Sequence, residues 1–457
     1  MNQGAAAAGN GPPRPRRLRA FLPLVAYQVV FLLAAIVWSP ILAWRLAFDR
    51  RYRTRFWART GRIPQLPRVP RRIWVHGVSV GEVKNLARLI EAVGARHAGV
   101  DVVVSATTPT GFDLAHRLYP DQTVVQYPLD FGFFPGRALD RVQPDCVLLM
   151  ELEIWPNFLQ AASRRGVPVA VVNGRISERS FRGYRLARGL LPQFDWIERF
   201  CVQNAAYRDR LLALGVAPSR IAVTGNMKYD GVTLRGAPAG SAPLRTWLAG
   251  DDRLVLVCGS THGREEEWLF DALARIARLV PRRVRLVLVP RHPERAPSVV
   301  ETLAARGAPV VRWSQIGEAR PRLAVDAVVL VDTIGHLEAF YGACDVAFVG
   351  GSLVPHGGQN MLEPAALGRA VLFGPNTWNF RADVELLLAA EAVLQIGGRN
   401  ELDAALLRLL GDPALRAALG ERAVALIREN QGATARTLEL IAPLLDRSLG
   451  SIDAHGR

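Results

Sequence analysis

The residues best able to do chemistry stand in short loops between apolar runs, and the stretch His76–Glu82, HGVSVGE, poses the choice among them. Its Gly77-Val78-Ser79-Val80-Gly81 has the G-x-S-x-G spacing of a hydrolase nucleophile elbow. Glu82, one residue further on, is a carboxylate able to take a proton from an attacking hydroxyl. MELEIWPN sets Glu151 and Glu153 two apart at the end of an apolar run, on one face of a strand. GNMKYD carries Lys228, and LVPRHPER carries Arg291 and His292 at a strand end suited to a phosphate. In GGSLVPHGGQNMLEPAALG, glycines flank Pro355 and His356 just before a helix. Backbone N–H groups at that helix start are expected to receive a phosphate, and Glu363 to accept from ribose hydroxyls. Carboxylates beside cations suit removal of a hydroxyl proton and stabilisation of an anionic leaving group.

Two other chemistries fit less well. A nucleophile elbow follows a central strand with several strands already laid down, whereas GVSVG follows the first strand. A serine hydrolase using Ser79 remains the alternative on this stretch. The eight histidines form no H-E-x-x-H and no two aspartates stand two apart, so neither a metal site nor a cofactor is expected.

These loops require a scaffold. RIWVHGVS (72–79), VDVVVSATT (100–108), TVVQYP (123–128), CVLLMELE (146–153), VPVAVVNGR (167–175) and FCVQN (200–204) are continuously apolar, as strands covered on both faces are. Periodic segments such as EVKNLARLIEAVGARH (82–97) separate them, which predicts a parallel α/β sheet. After GVTLRGAPAGSAPLR (231–245) a second series begins, with RLVLVCGS, VRLVLVPR, AVVLVDT, DVAFVGGS and AVLFGP. The expected organisation is a basic tail (1–20), a membrane anchor (21–48), a basic linker (49–70), two Rossmann-like domains (71–240 and 241–430) and a C-terminal helix and tail (431–457). Ligands of such domains bind at the carboxyl ends of strands, and a cleft between the two is expected.

The formal charge of +16 is concentrated at one end: residues 1–72 hold 14 arginines, no lysine and one acid, Asp49. The remainder is nearly balanced, which argues against a nucleic-acid partner. Residues 21–44 carry no charge, long enough for the roughly 20 apolar positions of a bilayer span. Arg14, Arg16, Arg17 and Arg19 precede that run and Arg45, Arg50, Arg51, Arg53 and Arg55 follow it, so charge does not choose an orientation. The segment either spans or lies in one leaflet with its flanks on anionic headgroups. Four scattered cysteines without C-x-x-C read as buried thiols of a cytoplasmic domain.

In this order, HGVSVGE, TTPTG, MELEIWPN, NGRISERS, GNMKYD, GSTHGREEE, VPRHPER, FVGGSLVPHGGQN and LEPAALG resemble the 3-deoxy-D-manno-octulosonic acid (Kdo) transferases over nearly the whole chain. The resemblance implies a GT-B glycosyltransferase that moves Kdo from CMP-Kdo to the hydroxymethyl oxygen of a lipid A precursor, lipid IVA. It implies inversion, no metal, and work at the cytoplasmic side of the inner membrane among anionic lipids, early in lipopolysaccharide core assembly. By the same resemblance Glu82 is the general base, and Glu151 and Lys228 stabilise the transition state. Pro290, Arg291, Ile334, Gly335, His336, Asn360, Met361, Leu362 and Glu363 fall on its CMP-binding segments. Two positions depart from the family pattern: His336 stands where Glu is usual, and Gln359 where His is usual. The rivals are another membrane-bound GT-B transferase with a different nucleotide-sugar donor, and a catalytically silent receptor for nucleotide sugars. Glu82, Glu151 and Lys228 together speak against the silent receptor.

Overall fold

Runs apolar at every position become strands buried on both faces. The computed structural model describes residues 21–187, 193–232, 234, 238–250, 252–317 and 320–450. Among them lie two packed units, residues 1–231 with 431–457, and residues 232–430. Each is built on a seven-stranded parallel sheet.

In the first unit the strands are β1 (Arg72–Gly77), β2 (Asp101–Ala106), β3 (Thr123–Gln126), β4 (Cys146–Met150), β5 (Val169–Gly174), β6 (Arg199–Val202) and β7 (Ile221–Val223). Their order is β3-β2-β1-β4-β5-β6-β7, so β1 and β4 are neighbours at the point where the winding reverses, the usual place for a ligand. Trp74 anchors the core, edge-on to Phe158 at 5.4 Å, with its indole N–H donating to Ser105 Oγ at 2.8 Å. The second unit holds β8 (Leu254–Thr261), β9 (Val284–Pro290), β10 (Val310–Arg312), β11 (Val328–Leu330), β12 (Val346–Val349), β13 (Ala370–Phe373) and β14 (Leu394–Gln395), in the order β10-β11-β9-β8-β12-β13-β14.

The chain enters through α1 (Phe21–Phe48) and α2 (Arg50–Arg59), then β1, then α3 (Val80–Arg96). Buried Val83, Leu86, Leu89 and Val93 form the stripe that α3 lays against the sheet. The last helix, Ala433–Gly450, does not stand apart as a tail. It packs on α3 within the first unit, and its Ile441, Leu444 and Leu445 join that core. The Asp230 carboxylate ties the two crossings together by accepting from Gly432 N–H and Thr434 N–H, both at 2.6 Å.

One helix among the described residues, at Pro23–Ile41, is long and apolar enough to cross a membrane. Not every arginine of residues 1–72 faces outward. Arg14, Arg16, Arg17 and Arg19 lie outside the described residues. Arg72 is buried, bonded to Asp101 at 2.6 Å and to the Val142 and Pro67 carbonyls, so it braces the sheet rather than facing a lipid. Arg55 pairs with Asp113 at 2.7 Å. All four cysteines are buried and free.

Candidate functional site

The opening motif resolves as a helix cap. Ser79 is the N-cap of α3, extended at φ −110° and ψ 169°, and so carries none of the backbone strain of a nucleophile elbow. Its Oγ accepts from Glu82 N–H at 3.4 Å and donates to Glu82 Oε1 at 2.8 Å, while Glu82 Oε2 accepts from Val78 N–H at 2.9 Å. This is a variant of the S-x-x-E capping box in which the acid reaches the N–H one residue before the cap, and it fixes the carboxylate at the end of β1. Gly77 permits it, because a Cβ there would lie 3.2 Å from Glu82 Cβ. TTPTG buttresses the same turn: Thr108 caps the next helix and donates through Oγ1 to the Val78 carbonyl at 2.9 Å.

At the end of neighbouring β4, Glu151 adopts φ 59°, a left-handed conformation costly for a residue with a Cβ. Its N–H donates to the Val172 carbonyl at 2.9 Å. Glu153 accepts from the Trp155 indole N–H at 2.7 Å. Burial, and then the charge of Glu82, raise the proton affinity of Glu151, against the pull of Arg175. Burial pushes Glu153 up to about 7; the Trp155 bond opposes it, and the Glu82 and Glu151 charges add to it. Three carboxylates therefore feel one another across the ends of β1 and β4. Glu153 belongs to this group, and its even spacing from Glu151 was the signal in the sequence.

Asn173, also left-handed at φ 53°, ends β5 and accepts Met227 N–H at 3.0 Å. That bond folds the GNMKYD loop back from β7 toward the sheet centre and fixes Lys228 beside it, with Lys228 N–H on Asn226 Oδ1 at 3.0 Å. Glu82, Glu151 and Lys228 thus all sit at the carboxyl end of the first sheet. His76, opening the motif, is a core residue. Its ring stacks on Tyr127 at 3.7 Å and bonds Ser105, and burial lowers its pKa to about 3, so it stays neutral.

In the second unit the expected CMP segments share one sheet end, after β9 (Pro290, Arg291), β11 (Ile334, Gly335, His336) and β12 (Asn360 to Glu363). Arg291 is exposed, and its guanidinium makes no hydrogen bond or ion pair among the described residues. Arg295 is spent on Glu266 at 2.8 Å. Ile334 is 85% exposed, Gly335 takes φ 95°, and the His336 ring stands edge-on to Trp313 at 5.6 Å. Met361 and Leu362 are fully buried core side chains, so these two positions can offer a ligand only backbone.

One expectation for this unit changes. The helix after the glycine loop is only Leu362–Ala366, its Leu362 N–H is taken by Asn360 Oδ1 at 3.2 Å, and Pro364 brings no donor. It is not a ready phosphate cradle. The N–H groups of Gly351, Ser352 and Leu353 are also occupied: with His262 N–H they all donate to the buried Glu265 carboxylate, at 2.7 to 3.0 Å. Glu363 Oε1 accepts from Asn360 Nδ2 at 3.0 Å. The strand ends instead present imidazoles that no motif announced as a set. His262 stacks on His356 at 3.9 Å and meets His292 edge-on at 5.7 Å. His262 Nδ1 lies 2.9 Å from the Ser260 carbonyl, so it carries the proton. Stacked rings do not converge on an ion, and among the described residues no three His, Cys, Asp or Glu side chains are grouped to hold a metal.

Comparison with known proteins adds the family. The sequence pattern of the family described as 3-Deoxy-D-manno-octulosonic-acid transferase (kdotransferase) matches residues 54–231. The chain is 36% identical over 383 residues to a 3-deoxy-D-manno-octulosonic acid transferase of Bordetella pertussis, covering 81% of this chain and 86% of that protein. It is 32% identical over 383 residues to the one of Haemophilus influenzae, covering 83% and 88%. A solved glycosyltransferase of Rickettsia africae shares the fold at TM-score 0.52 and 12% identity, over 82% of this chain and 98% of that one. So does the UDP-GlcNAc 2-epimerase of Neisseria meningitidis, at TM-score 0.52 and 13% identity over 81% and 100%. The scaffold is GT-B. With relatives this similar over most of both lengths, the chain belongs to the 3-deoxy-D-manno-octulosonic acid transferase family and is a glycosyltransferase of lipopolysaccharide synthesis.

Proposed function

We propose that the protein transfers Kdo from CMP-Kdo to a hydroxymethyl oxygen of the lipid A precursor lipid IVA, at the cytoplasmic side of the inner membrane, with inversion and without a metal. The observation that carries this reading is the Glu82 carboxylate. Each of its oxygens accepts one hydrogen bond, from Val78 N–H or Ser79 O–H, and keeps a second lone pair. A sugar hydroxyl placed there gives its proton to Glu82 as its oxygen bonds the anomeric carbon. The bond from that carbon to the CMP phosphate breaks, and CMP leaves with the electron pair.

Lys228 is the cation in the first unit that offsets charge developing on the departing phosphate, and Glu151 stabilises the positive character of the anomeric carbon. In the second unit Arg291 is the uncommitted guanidinium for the phosphate, with His336 and Glu363 at the nucleoside. The decisive experiment incubates the full chain with CMP-Kdo and lipid IVA in the presence of a chelator, weighs the lipid and determines the anomeric configuration of the product. A lipid heavier by one or more Kdo residues, with inverted configuration, supports the reading. Transfer only from a uridine-linked hexosamine, or only when metal is restored, overturns it.

A further inference from the structure

The first half of α1 is fastened to the first unit along one stripe. Leu24 is buried in that unit's core. Tyr27 lies near the Asp130 carboxylate, whose charge adds to burial in raising the pKa of the Tyr27 hydroxyl. Gln28 Nε2 donates to Asn157 Oδ1 at 3.2 Å, and Phe31 stacks on Phe131 with ring centres 5.3 Å apart. Positions 24, 27, 28 and 31 follow the i, i+3, i+4, i+7 rule, so they form a single helix face. Their partners are interlocked, because buried Asp130 accepts Asn157 N–H at 3.0 Å and Phe158 N–H at 2.7 Å. Asn157 stands four residues beyond Glu153, so the anchor is tied to the loop that carries the carboxylates.

The remainder of the helix is bare. Leu33, Ile36, Val37, Ile41, Trp44 and Phe48 each expose more than half of their surface, and Phe133, on the loop beside docked Phe131, exposes 69%. From Leu32 to Trp44 the undocked apolar run is about 20 Å long at 1.5 Å per residue. The hydrocarbon core is roughly 30 Å thick. To cross it the helix must take its docked half in as well, drawing Asp130 and Asn157 of the folded unit into hydrocarbon. A carboxylate and an amide resist that transfer strongly.

We propose that α1 does not traverse the bilayer but lies in one leaflet of an anionic membrane, clamped to the first unit through Leu24, Gln28 and Phe31. Its bare face and Phe133 rest among acyl chains, and the arginines on both flanks rest at headgroup phosphates of that same leaflet. Both ends of the helix are then on one side. The inference stands apart from the transfer reaction and is tested without it.

The four native cysteines are buried, so single introduced cysteines report cleanly. Asn10→Cys, upstream of α1, and Gln65→Cys, downstream of α2, are made in the full chain and treated with a membrane-impermeant maleimide. Both should react in inverted inner-membrane vesicles and neither in intact spheroplasts, with denatured samples as the full-labelling standard. Asn10→Cys reacting in spheroplasts, or in neither preparation, overturns the in-plane helix. A second arm joins Gln28→Cys to Asn157→Cys with a short bis-maleimide in the same vesicles. An intrachain link is expected, and its absence overturns the clamp. Predominant chain-to-chain linkage through Ser39→Cys would give the bare face to a second copy instead of lipid, and also overturns the proposal.

Discussion

Removing β11 from the second sheet leaves β10-β9-β8-β12-β13-β14, the same winding as β3-β2-β1-β4-β5-β6 in the first. The two units share a scaffold and furnish its carboxyl end with opposite chemistry. In the first, the reversal point presents Glu82, Glu151 and Glu153, and burial together with the neighbouring carboxylate charges favours a proton on Glu151 and Glu153. In the second, the corresponding loop ends present Arg291 and three imidazoles, and the buried carboxylate Glu265 is consumed by four backbone N–H groups. The inserted strand matters as well, since β11 leads directly to Ile334, Gly335 and His336. Function diverges here by what is hung on the strand ends, with the sheets held constant.

The sharpest test of this division is Glu82→Gln. The amide keeps size and one acceptor for the capping box but cannot take the proton, so transfer should fall roughly 10²–10⁴-fold. CMP affinity, assigned to the other unit, should stay within twofold by calorimetry. Ser79→Ala loses the N-cap and one bond to Glu82, at about 1 kcal/mol of stability, and should retain most turnover. A Glu82→Gln enzyme with normal turnover, or a dead Ser79→Ala enzyme that is fully folded, would collapse the distinction.

Glu265→Ala comes next. It strips the acceptor from His262, Gly351, Ser352 and Leu353 at once, and buried donors left unpaired add up to about 3–5 kcal/mol. Urea unfolding should show the second unit's transition shifted to lower denaturant and CMP binding lost with it. The first unit's transition should not move. Arg291→Ala is milder: a lost charge-assisted bond of about 1.5–3 kcal/mol weakens CMP binding some ten- to hundredfold without destabilising the exposed site. Unchanged affinity in a folded variant would take Arg291 out of the phosphate contact.

The scaffold was legible because parallel strands covered on both faces write themselves as unbroken apolar runs, as RIWVHG and CVLLM do. Glu82, Glu151 and Lys228 could be placed at strand ends for the same reason. What each neighbour does was harder. The S-x-x-E box was present in Ser79–Glu82, yet the glycines drew attention to a turn rather than to a helix cap. The helix start at Leu362 read as open to a phosphate, because nothing in the local pattern shows that Asn360 Oδ1 takes its N–H. The histidine group is assembled from three separate loops, a proximity that no local pattern encodes. Arg72 counted as surface charge until the sheet closed around it.

The smallest expected effect concerns proton affinity itself. Glu153, raised to about 7 when folded against 4.5 for a free glutamate, binds its proton more tightly in the native state than in the unfolded one. Its contribution to stability is therefore intact below pH 4.5 and is lost as pH rises through 7, where the native state must hold a half-buried charge beside Glu82 and Glu151. Glu153→Gln keeps the acceptor for the Trp155 indole and removes that charge. Its melting temperature should match the parent at pH 4 and exceed it by a few degrees at pH 8.5. The comparison unit supplies the control, because Arg291→Ala should show no such pH-dependent gain. A Glu153→Gln protein equally or less stable than the parent at pH 8.5 would mean that the carboxylate is ionised at little cost, and the first unit's strand ends would lose the proton-holding character that sets them apart from the second's.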